Sequence, residues 1–180
     1  MSATPLLSKL LEAMNKHGLE AVMVGNAAAA IHGAPVTTID FDFMFRDTPA
    51  NMRKLKAIAK ELKSVVLRPY YPVSKLYRMV DDDLGLQADF MPVLHGVKSF
   101  ESLRSRAVKV SVENCPLLLA SLPDIIKSKK SASRARDLAV MDVLEKTLHE
   151  QTNYQQGKAP ERRQSSSTAR TRSRERPPVD

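Results

Sequence analysis

The sequence predicts an α+β fold in which helices flank a mixed β-sheet. Two observations indicate this class: short apolar runs have the length of buried strands, and longer segments carry apolar residues at helical spacing. A third is that no internal repeat is visible. The 180 residues have the length of one ordinary domain, and 43% of them are hydrophobic, which is enough to form a core.

The N-terminal part predicts two helices separated by a buried strand. Apolar residues recur at helical spacing over residues 5–17, and Gly18 follows where a C-terminal cap belongs. Residues 19–24, "LEAVMV", form a short apolar run that predicts a strand. The alanine-rich "NAAAAIHG" predicts a helix after it, with Asn26 as the N-cap and Gly33 as the stop.

The central part predicts most of the sheet. Residues 37–45 are expected to form a strand in which Ile39 and three phenylalanines face the core. Pro49 directly after Thr48 predicts the start of a helix. Three more strands are predicted in "SVVLRPY", "KLYRMV" and "GLQADFMPV", with a turn over 81–85 before the last of them.

The C-terminal part predicts a short helix over 99–106, a sixth strand over 107–112, and helices over 115–130 and 134–151. Residues 1–153 are therefore predicted to be a single domain. From Gly157 onward the chain has seven basic and three acidic residues and almost no large apolar residue. We expect 154–180 to be a disordered basic tail. Such a tail suits phosphate contacts with RNA or DNA, and it is equally consistent with a solvated terminus that has no partner.

Composition excludes several classes of protein. With Cys115 as its single cysteine, the chain forms no internal disulfide, which favours a reducing compartment. We expect Cys115 to be a small buried residue rather than a nucleophile. Neither a signal peptide nor an apolar run of membrane-spanning length is visible. We therefore predict a cytoplasmic protein with no membrane partner.

Three aspartates interrupt strands that are otherwise apolar. Asp40 and Asp42 lie in "VTTIDFDFMF", and Asp89 lies in "GLQADFMPV". Because side chains alternate along a strand, Asp40 and Asp42 share the face opposite the phenylalanines. Two such charges repel each other unless a cation lies between them, and carboxylates suit Mg²⁺ or Mn²⁺. The alternative is that all three face solvent on a half-exposed sheet.

A turn that could receive a phosphate precedes these acids. The strand ending at Val24 leads through Gly25 and Asn26 into a helix. Free N–H groups at a helix N-terminus attract anions, and a glycine lets the backbone approach a phosphate closely. The turn alone is weak evidence, but the D-x-D that follows it makes the pattern more specific.

These motifs resemble a known family. The signature of the DNA polymerase β-like nucleotidyltransferase superfamily is similar to the stretch "VGNAAAAIHGAPVTTIDFDFMF". Within that superfamily the stretch most resembles the motif of the minimal and AbiEii-like members, many of them MenT-like toxins. "IIKSKKSASRARDLAVMDVL" is similar to the C-terminal helical motif of the same proteins. The resemblance covers about residues 20–148. It implies a mixed sheet flanked by helices, two divalent metals, and transfer of a nucleoside monophosphate from an NTP.

The resemblance also implies roles for individual residues. Asp40 and Asp42 would ligate metals, while Asp89 would ligate one metal and help to deprotonate the acceptor hydroxyl. Gly25 and Asn26 would form the phosphate turn, although the family usually has Ser or Gly where this chain has Asn26. The C-terminal motif would neutralise or position the triphosphate, with Lys129, Arg134, Arg136 and Asp137 as its members.

Several functions fit this resemblance. The leading hypothesis is an active nucleotidyltransferase whose acceptor is RNA, such as a tRNA end, a protein hydroxyl or a small molecule such as an aminoglycoside. It could be a toxin with a cognate antitoxin. A catalytically silent member that binds nucleotide, nucleic acid or a partner is the alternative, and Asn26 supports it. A two-metal nuclease is less favoured, because a nuclease needs neither the Gly25 turn nor Lys129.

Overall fold

One mixed sheet organises the molecule. A computed structural model describes residues 3–69 and 75–157, and within these ranges it contains seven strands and seven helices. The strands are β1 Ala21–Val24, β2 Phe41–Phe45, β3 Val65–Leu67, β4 Tyr77–Asp81, β5 Leu86–Met91, β6 Val108–Val112 and β7 Cys115–Leu119. The helices are α1 Ala3–Lys16, α2 Gly25–Ile31, α3 Pro49–Glu61, α4 Phe100–Arg106, α5 Leu122–Ala132, α6 Ala135–Leu138 and α7 Met141–Gly157. The α+β class predicted from sequence is confirmed.

The sheet has the order β3-β4-β5-β2-β1-β7-β6. Strand β2 lies at its centre, where it pairs in parallel with β5 and antiparallel with β1. Strand β1 in turn pairs in parallel with β7, and the outer pairs β3–β4, β4–β5 and β6–β7 are antiparallel. The sheet is therefore mixed, and the predicted acidic strands are adjacent at its centre.

Aromatic side chains pack the central strands together. The rings of Phe43 and Phe90 stack with centroids 5.2 Å apart. Phe45 meets both Phe90 and Tyr77 edge-on, with centroids 5.9 and 5.8 Å apart. All four rings are buried. Stacked and edge-to-face pairs add to the free energy gained by burial, so these contacts fix the register of β2, β5 and β4, the strands that carry the acids.

Side-chain caps define where the helices begin. Thr48 accepts a hydrogen bond from the backbone N–H of Asn51 at the start of α3, as Pro49 in the first turn predicts. Ser121 caps α5 in the same way by accepting from the N–H of Asp124. Helix α5 ends at Ser133, which adopts a left-handed conformation with φ of 50°. That turn directs the chain into α6.

Strand β2 is shorter than predicted. It begins at Phe41 instead of residue 37, and Ile39, which was expected to enter the core, is 87% exposed. The hydroxyl of Thr38 hydrogen-bonds the backbone carbonyl and the carboxylate of Asp40 and so stabilises a bend before the strand. Short polar side chains commonly offer the backbone this alternative to a sheet ladder.

The segment 115–119 was predicted to be helical, and that prediction was wrong. Cys115–Leu119 is strand β7, which pairs with β6 through a two-residue turn at Glu113 and Asn114. Both turn residues have positive φ, 46° and 70°, a conformation that suits a tight hairpin. Cys115 is buried, as expected, and α5 begins at Leu122.

The C-terminal helix predicted over 134–151 is divided into α6 and α7. Leu138, expected on its inner side, is 54% exposed, whereas Met141 and Leu144 are buried. Helix α7 extends to Gly157, four residues past the predicted end of the domain at 153. The rest of the predicted basic tail lies outside the described residues. None of the described helices is long and apolar enough to cross a bilayer.

Candidate active site

Three carboxylates converge beside the end of β1. Asp42 of β2 lies opposite Val24 of β1 on one side and opposite Asp89 of β5 on the other. Asp40 precedes β2 in the bend, not on the strand as predicted, yet it still reaches the same point. One ligand oxygen from each of the three aspartates lies within 4.8 Å of the others. The structure therefore brings together the three acids singled out in the sequence.

The partners of the three carboxylates differ. Asp40 accepts a hydrogen bond from the hydroxyl of Thr38 at 2.9 Å and a long one from the amide of Gln87 at 3.5 Å. Asp89 is 5% exposed, and both of its oxygens accept hydrogen bonds of 2.7 Å from the guanidinium of Arg78. Asp89 was expected to point away from the core but is buried. Its charge is compensated by a neighbouring strand.

Asp42 is the electrostatically strained member of the cluster. Burial raises its pKa to about 7, and the charges of Asp40 and Asp89 add to that rise, while Lys129 and Arg136 oppose it. A carboxylate held this close to two others is favoured in its charged form by additional positive charge nearby. Three oxygen ligands within 4.8 Å of one another are the donor set that hard divalent cations prefer. The residues therefore fit a Mg²⁺ or Mn²⁺ ion.

Gly25 makes room for Asp42. It has a φ of +71°, and a Cβ atom added there would lie 2.2 Å from Oδ2 of Asp42. Sequence reasoning assigned this glycine to the approach of a phosphate. The structure gives it an additional role, because any side chain at this position would collide with the carboxylate at the centre of the cluster.

Asn26 does not cap helix α2 as predicted. The helix begins one residue earlier, at Gly25, and the residue in the cap position is Val24, which supplies no side-chain hydrogen bond. The Nδ2 atom of Asn26 donates to the carbonyl of Thr37 at 3.4 Å. Its Oδ1 atom is buried and has no hydrogen-bond partner among the described residues. Asn26 therefore ties the turn to the loop that leads to Asp40.

The C-terminal motif reaches the same site. Lys129 of α5 is buried, and its Nζ lies 3.0 Å from Oδ1 of Asp137 on α6, which is buried as well. Lys129 and Arg136 are close enough to Asp42 to lower its pKa. Arg134 and Arg136 are exposed where α6 begins. The left-handed turn at Ser133 thus brings the basic residues and Asp137 of the motif to one region of the molecule.

Sequence reasoning missed Arg78, Gln87 and Thr38. The first two have a recognisable signal, since "KLYRMV" and "GLQADFMPV" are consecutive strands joined by a short turn. An antiparallel hairpin between them places Arg78 directly opposite Asp89. A basic residue opposite an acid in an apolar hairpin predicts a cross-strand ion pair. The bend at Thr38 had no comparably clear signal.

Comparison with proteins of known structure identifies the fold that carries this site. No protein-family model and no curated protein matches the chain. A solution structure of the antibiotic-resistance factor ANT(2'')-Ia matches with a TM-score of 0.57 at 14% identity, covering 86% of this chain and 91% of that one. A crystal structure of ANT(2'')-Ia in complex with adenylyl-2''-tobramycin matches with a TM-score of 0.56 at 15% identity, covering 88% and 100%.

A protein from Thermotoga maritima is also similar. TM1012, a predicted nucleotidyltransferase, matches with a TM-score of 0.56 at 16% identity, covering 81% of this chain and 92% of that one. Each likeness extends over most of both chains. The chain therefore has the nucleotidyltransferase fold.

Proposed function

We propose that the protein is a metal-dependent nucleotidyltransferase that moves a nucleoside monophosphate from an NTP to an acceptor hydroxyl. The observation that carries the proposal is the convergence of Asp40, Asp42 and Asp89 beside Lys129 and Arg136 on this fold. A single acidic cluster would suit any cation. The same cluster flanked by basic residues suits a cation that is bound together with a polyanion.

The residues divide the task between them. Asp40, Asp42 and Asp89 would hold Mg²⁺ or Mn²⁺, and a bound divalent ion would offset the negative charge of the reacting phosphate. Lys129 and Arg136 add positive charge next to Asp42, where a triphosphate would be stabilised as it reacts. Arg134, exposed at the start of α6, is a further phosphate contact in this proposal.

Two acidic residues support these groups. Asp137 holds the amine of Lys129 through a buried ion pair. Each oxygen of Asp89 keeps a second lone pair beside its bond to Arg78, so that Asp89 is able to accept a proton from the acceptor hydroxyl. Gly25 and Asn26 shape the turn at which the phosphates would lie.

Two classes of acceptor are proposed. The basic residues of 158–180 favour RNA, including a tRNA end, and a protein hydroxyl belongs to the same hypothesis, in which the protein is a toxin with a cognate antitoxin. The crystal structure of ANT(2'')-Ia in complex with adenylyl-2''-tobramycin supports a small polyhydroxyl acceptor as the second class. Both classes offer the hydroxyl group that the proposed reaction requires.

Label transfer tests the activity. The protein is incubated with each α-³²P-labelled NTP and Mg²⁺, and total RNA, the protein itself or an aminoglycoside is added as acceptor. Transfer is expected to one acceptor class and to be lost in Asp42→Ala. The matched control is Asp142→Ala, which removes an exposed carboxylate from α7 and should leave transfer unchanged. Transfer that survives Asp42→Ala would contradict the proposal.

A catalytically silent protein is the second candidate. The departure of Asn26 from the Ser or Gly typical of the resembling family supports it, and so does the hydrogen bond that engages Nδ2 with Thr37. Equilibrium binding of NTP separates the two candidates. Binding without transfer to any acceptor would favour the silent protein, and recovery of transfer in Asn26→Ser would show that Asn26 is the cause.

A further inference from the structure

The ion pair between Arg78 and Asp89 distinguishes one carboxylate of the acidic cluster from the other two. The side chain of Asp89 is 7% exposed and that of Arg78 28% exposed. Both N–H···O distances are 2.7 Å, which is the geometry of a strong bidentate pair. The two residues face each other across the β4–β5 pairing, so the strands hold them together. This bidentate pair of Arg78 and Asp89, called the fork below, is therefore a fixed part of the sheet.

The fork removes one negative charge from a crowded site. Asp40 is bonded by two neutral partners, the hydroxyl of Thr38 and the amide of Gln87. Asp42 is opposed by the positive charges of Lys129 and Arg136, neither of which forms a described hydrogen bond with it. A buried carboxylate without a compensating charge is strongly destabilising. Arg78 supplies the compensating positive charge for the buried carboxylate of Asp89, with a bond of 2.7 Å to each of its oxygens.

The same fork also opposes a metal ion. A guanidinium fixed at the far side of Asp89 repels a divalent cation held by the same carboxylate, and it draws electron density from both oxygens. Its two bonds also fix the orientation of the Asp89 carboxylate. Arg78 therefore has two linked effects, one on folding without metal and the other on metal affinity.

We propose that Arg78 is a built-in counter-cation, a positioning residue that keeps the metal-free site folded and in return weakens its affinity for the metal. This inference rests on the metal site proposed above and adds a residue that was not assigned to it. A divalent ion is able to replace the missing charge when Arg78 is neutralised. The stability of such a variant should become dependent on metal.

Thermal unfolding and calorimetric titration with Mn²⁺ test the proposal. Four proteins are compared: wild type, Arg78→Gln, Arg78→Lys and the control Arg106→Gln. We expect Arg78→Gln to unfold at a lower temperature than wild type in EDTA. Mn²⁺ should raise the unfolding temperature of this variant more than it raises that of wild type. Its Mn²⁺ affinity should be about tenfold higher, which corresponds to about 1.4 kcal/mol. Arg78→Lys keeps the positive charge but loses the bidentate geometry. Its unfolding temperature in EDTA and its Mn²⁺ affinity should lie between those of wild type and Arg78→Gln.

Arg106→Gln is the matched control. Arg106 forks the buried carboxylate of Asp124 at 2.8–3.2 Å, away from the acidic cluster. Its loss should lower the unfolding temperature in EDTA as well, but Mn²⁺ should raise that temperature no more than it does in wild type. This control separates a metal-specific effect from the general cost of breaking an arginine–aspartate pair.

Each outcome decides the matter. If wild type responds to Mn²⁺ and Arg78→Gln responds no more strongly, the role of Arg78 is wrong and the metal site stands. If none of the four proteins responds, the metal site and the role of Arg78 fail together. Should Arg78→Gln fail to fold even with Mn²⁺, Arg78→Lys decides: tighter Mn²⁺ binding than wild type supports the proposal, and equal or weaker binding overturns it.

Discussion

The side chain of Asp42 carries the clearest cost of building this site. Burial and two neighbouring carboxylates raise its pKa from 3.8 to about 7, so the fold opposes the charged form that metal binding requires. Functional groups of this kind commonly trade stability for activity. The stability lost through the buried charge of Asp42 is measurable because it depends on pH.

For Asp42→Asn we expect the metal-free protein to be more stable than wild type at pH 8. A carboxyl with a raised pKa contributes stability that is present below pH 3.8 and lost as pH rises through about 7. The gain at pH 8 is on the order of 2 kcal/mol once partial exposure is allowed for. Urea denaturation in EDTA at pH 5 and pH 8 measures it, and a variant less stable than wild type at pH 8 would contradict it.

Gly25→Ala should destabilise the protein and abolish Mn²⁺ binding. The new Cβ would lie 2.2 Å from Oδ2 of Asp42, and the residue would be forced into a φ of +71°. A left-handed conformation costs about 1–2 kcal/mol by itself. Gly85→Ala is the control, because Gly85 has a φ of +69° with nothing within 4 Å of the added Cβ. It should lose similar backbone stability and still bind Mn²⁺, as calorimetric titration would show.

Among the secondary structure elements, α5 contributes most to the site after the central strands. It carries Lys129 on its buried side, and Gly96 of the loop before α4 packs closely on it, since a Cβ there would lie 2.5 Å from Oγ of Ser131. Two ion pairs connect α5 to the helices that follow. Lys129–Asp137 is buried, whereas the members of Lys130–Glu145 are 58% and 50% exposed.

Burial predicts very different contributions from these two pairs. Asp137→Ala leaves the buried charge of Lys129 uncompensated and should cost about 3–5 kcal/mol. Glu145→Ala breaks an exposed pair and should cost less than about 1 kcal/mol. Guanidinium denaturation of both variants measures the contrast. Equal costs would show that Asp137 does not fix Lys129.

In the molecule as a whole, the convergence of the three aspartates and the nearby basic motif were largely predictable, whereas the ion pair of Arg78 with Asp89 was not. Asp40, Asp42 and Asp89 were found because acids in apolar strands are unusual, and that signal survived a wrong boundary for β2. Arg78 was overlooked because arginine in an outer strand is ordinary until the pairing register is known. Strand β7 was mistaken for a helix because an apolar run of five residues has no decisive period.

Deletion of residues 158–180 should leave folding and Mn²⁺ binding unchanged. The described residues form an extensive core by themselves, and its buried apolar residues lie at or before Leu144. If RNA is the acceptor, deletion should weaken RNA binding and flatten its dependence on salt, because phosphate contacts are lost. Filter binding at several salt concentrations measures this. A lower unfolding temperature after deletion would contradict the prediction.

The stacked rings of Phe43 and Phe90 are the direct sequence neighbours of Asp42 and Asp89. The stacked rings beneath Asp42 and Asp89 therefore help to set the spacing of the two carboxylates. A modest change in side-chain volume there, such as Phe43→Leu, should change the relative affinity of the proposed site for Mg²⁺ and the larger Mn²⁺. Selection on the proposed metal site would then act on the protein's interior as strictly as on its surface.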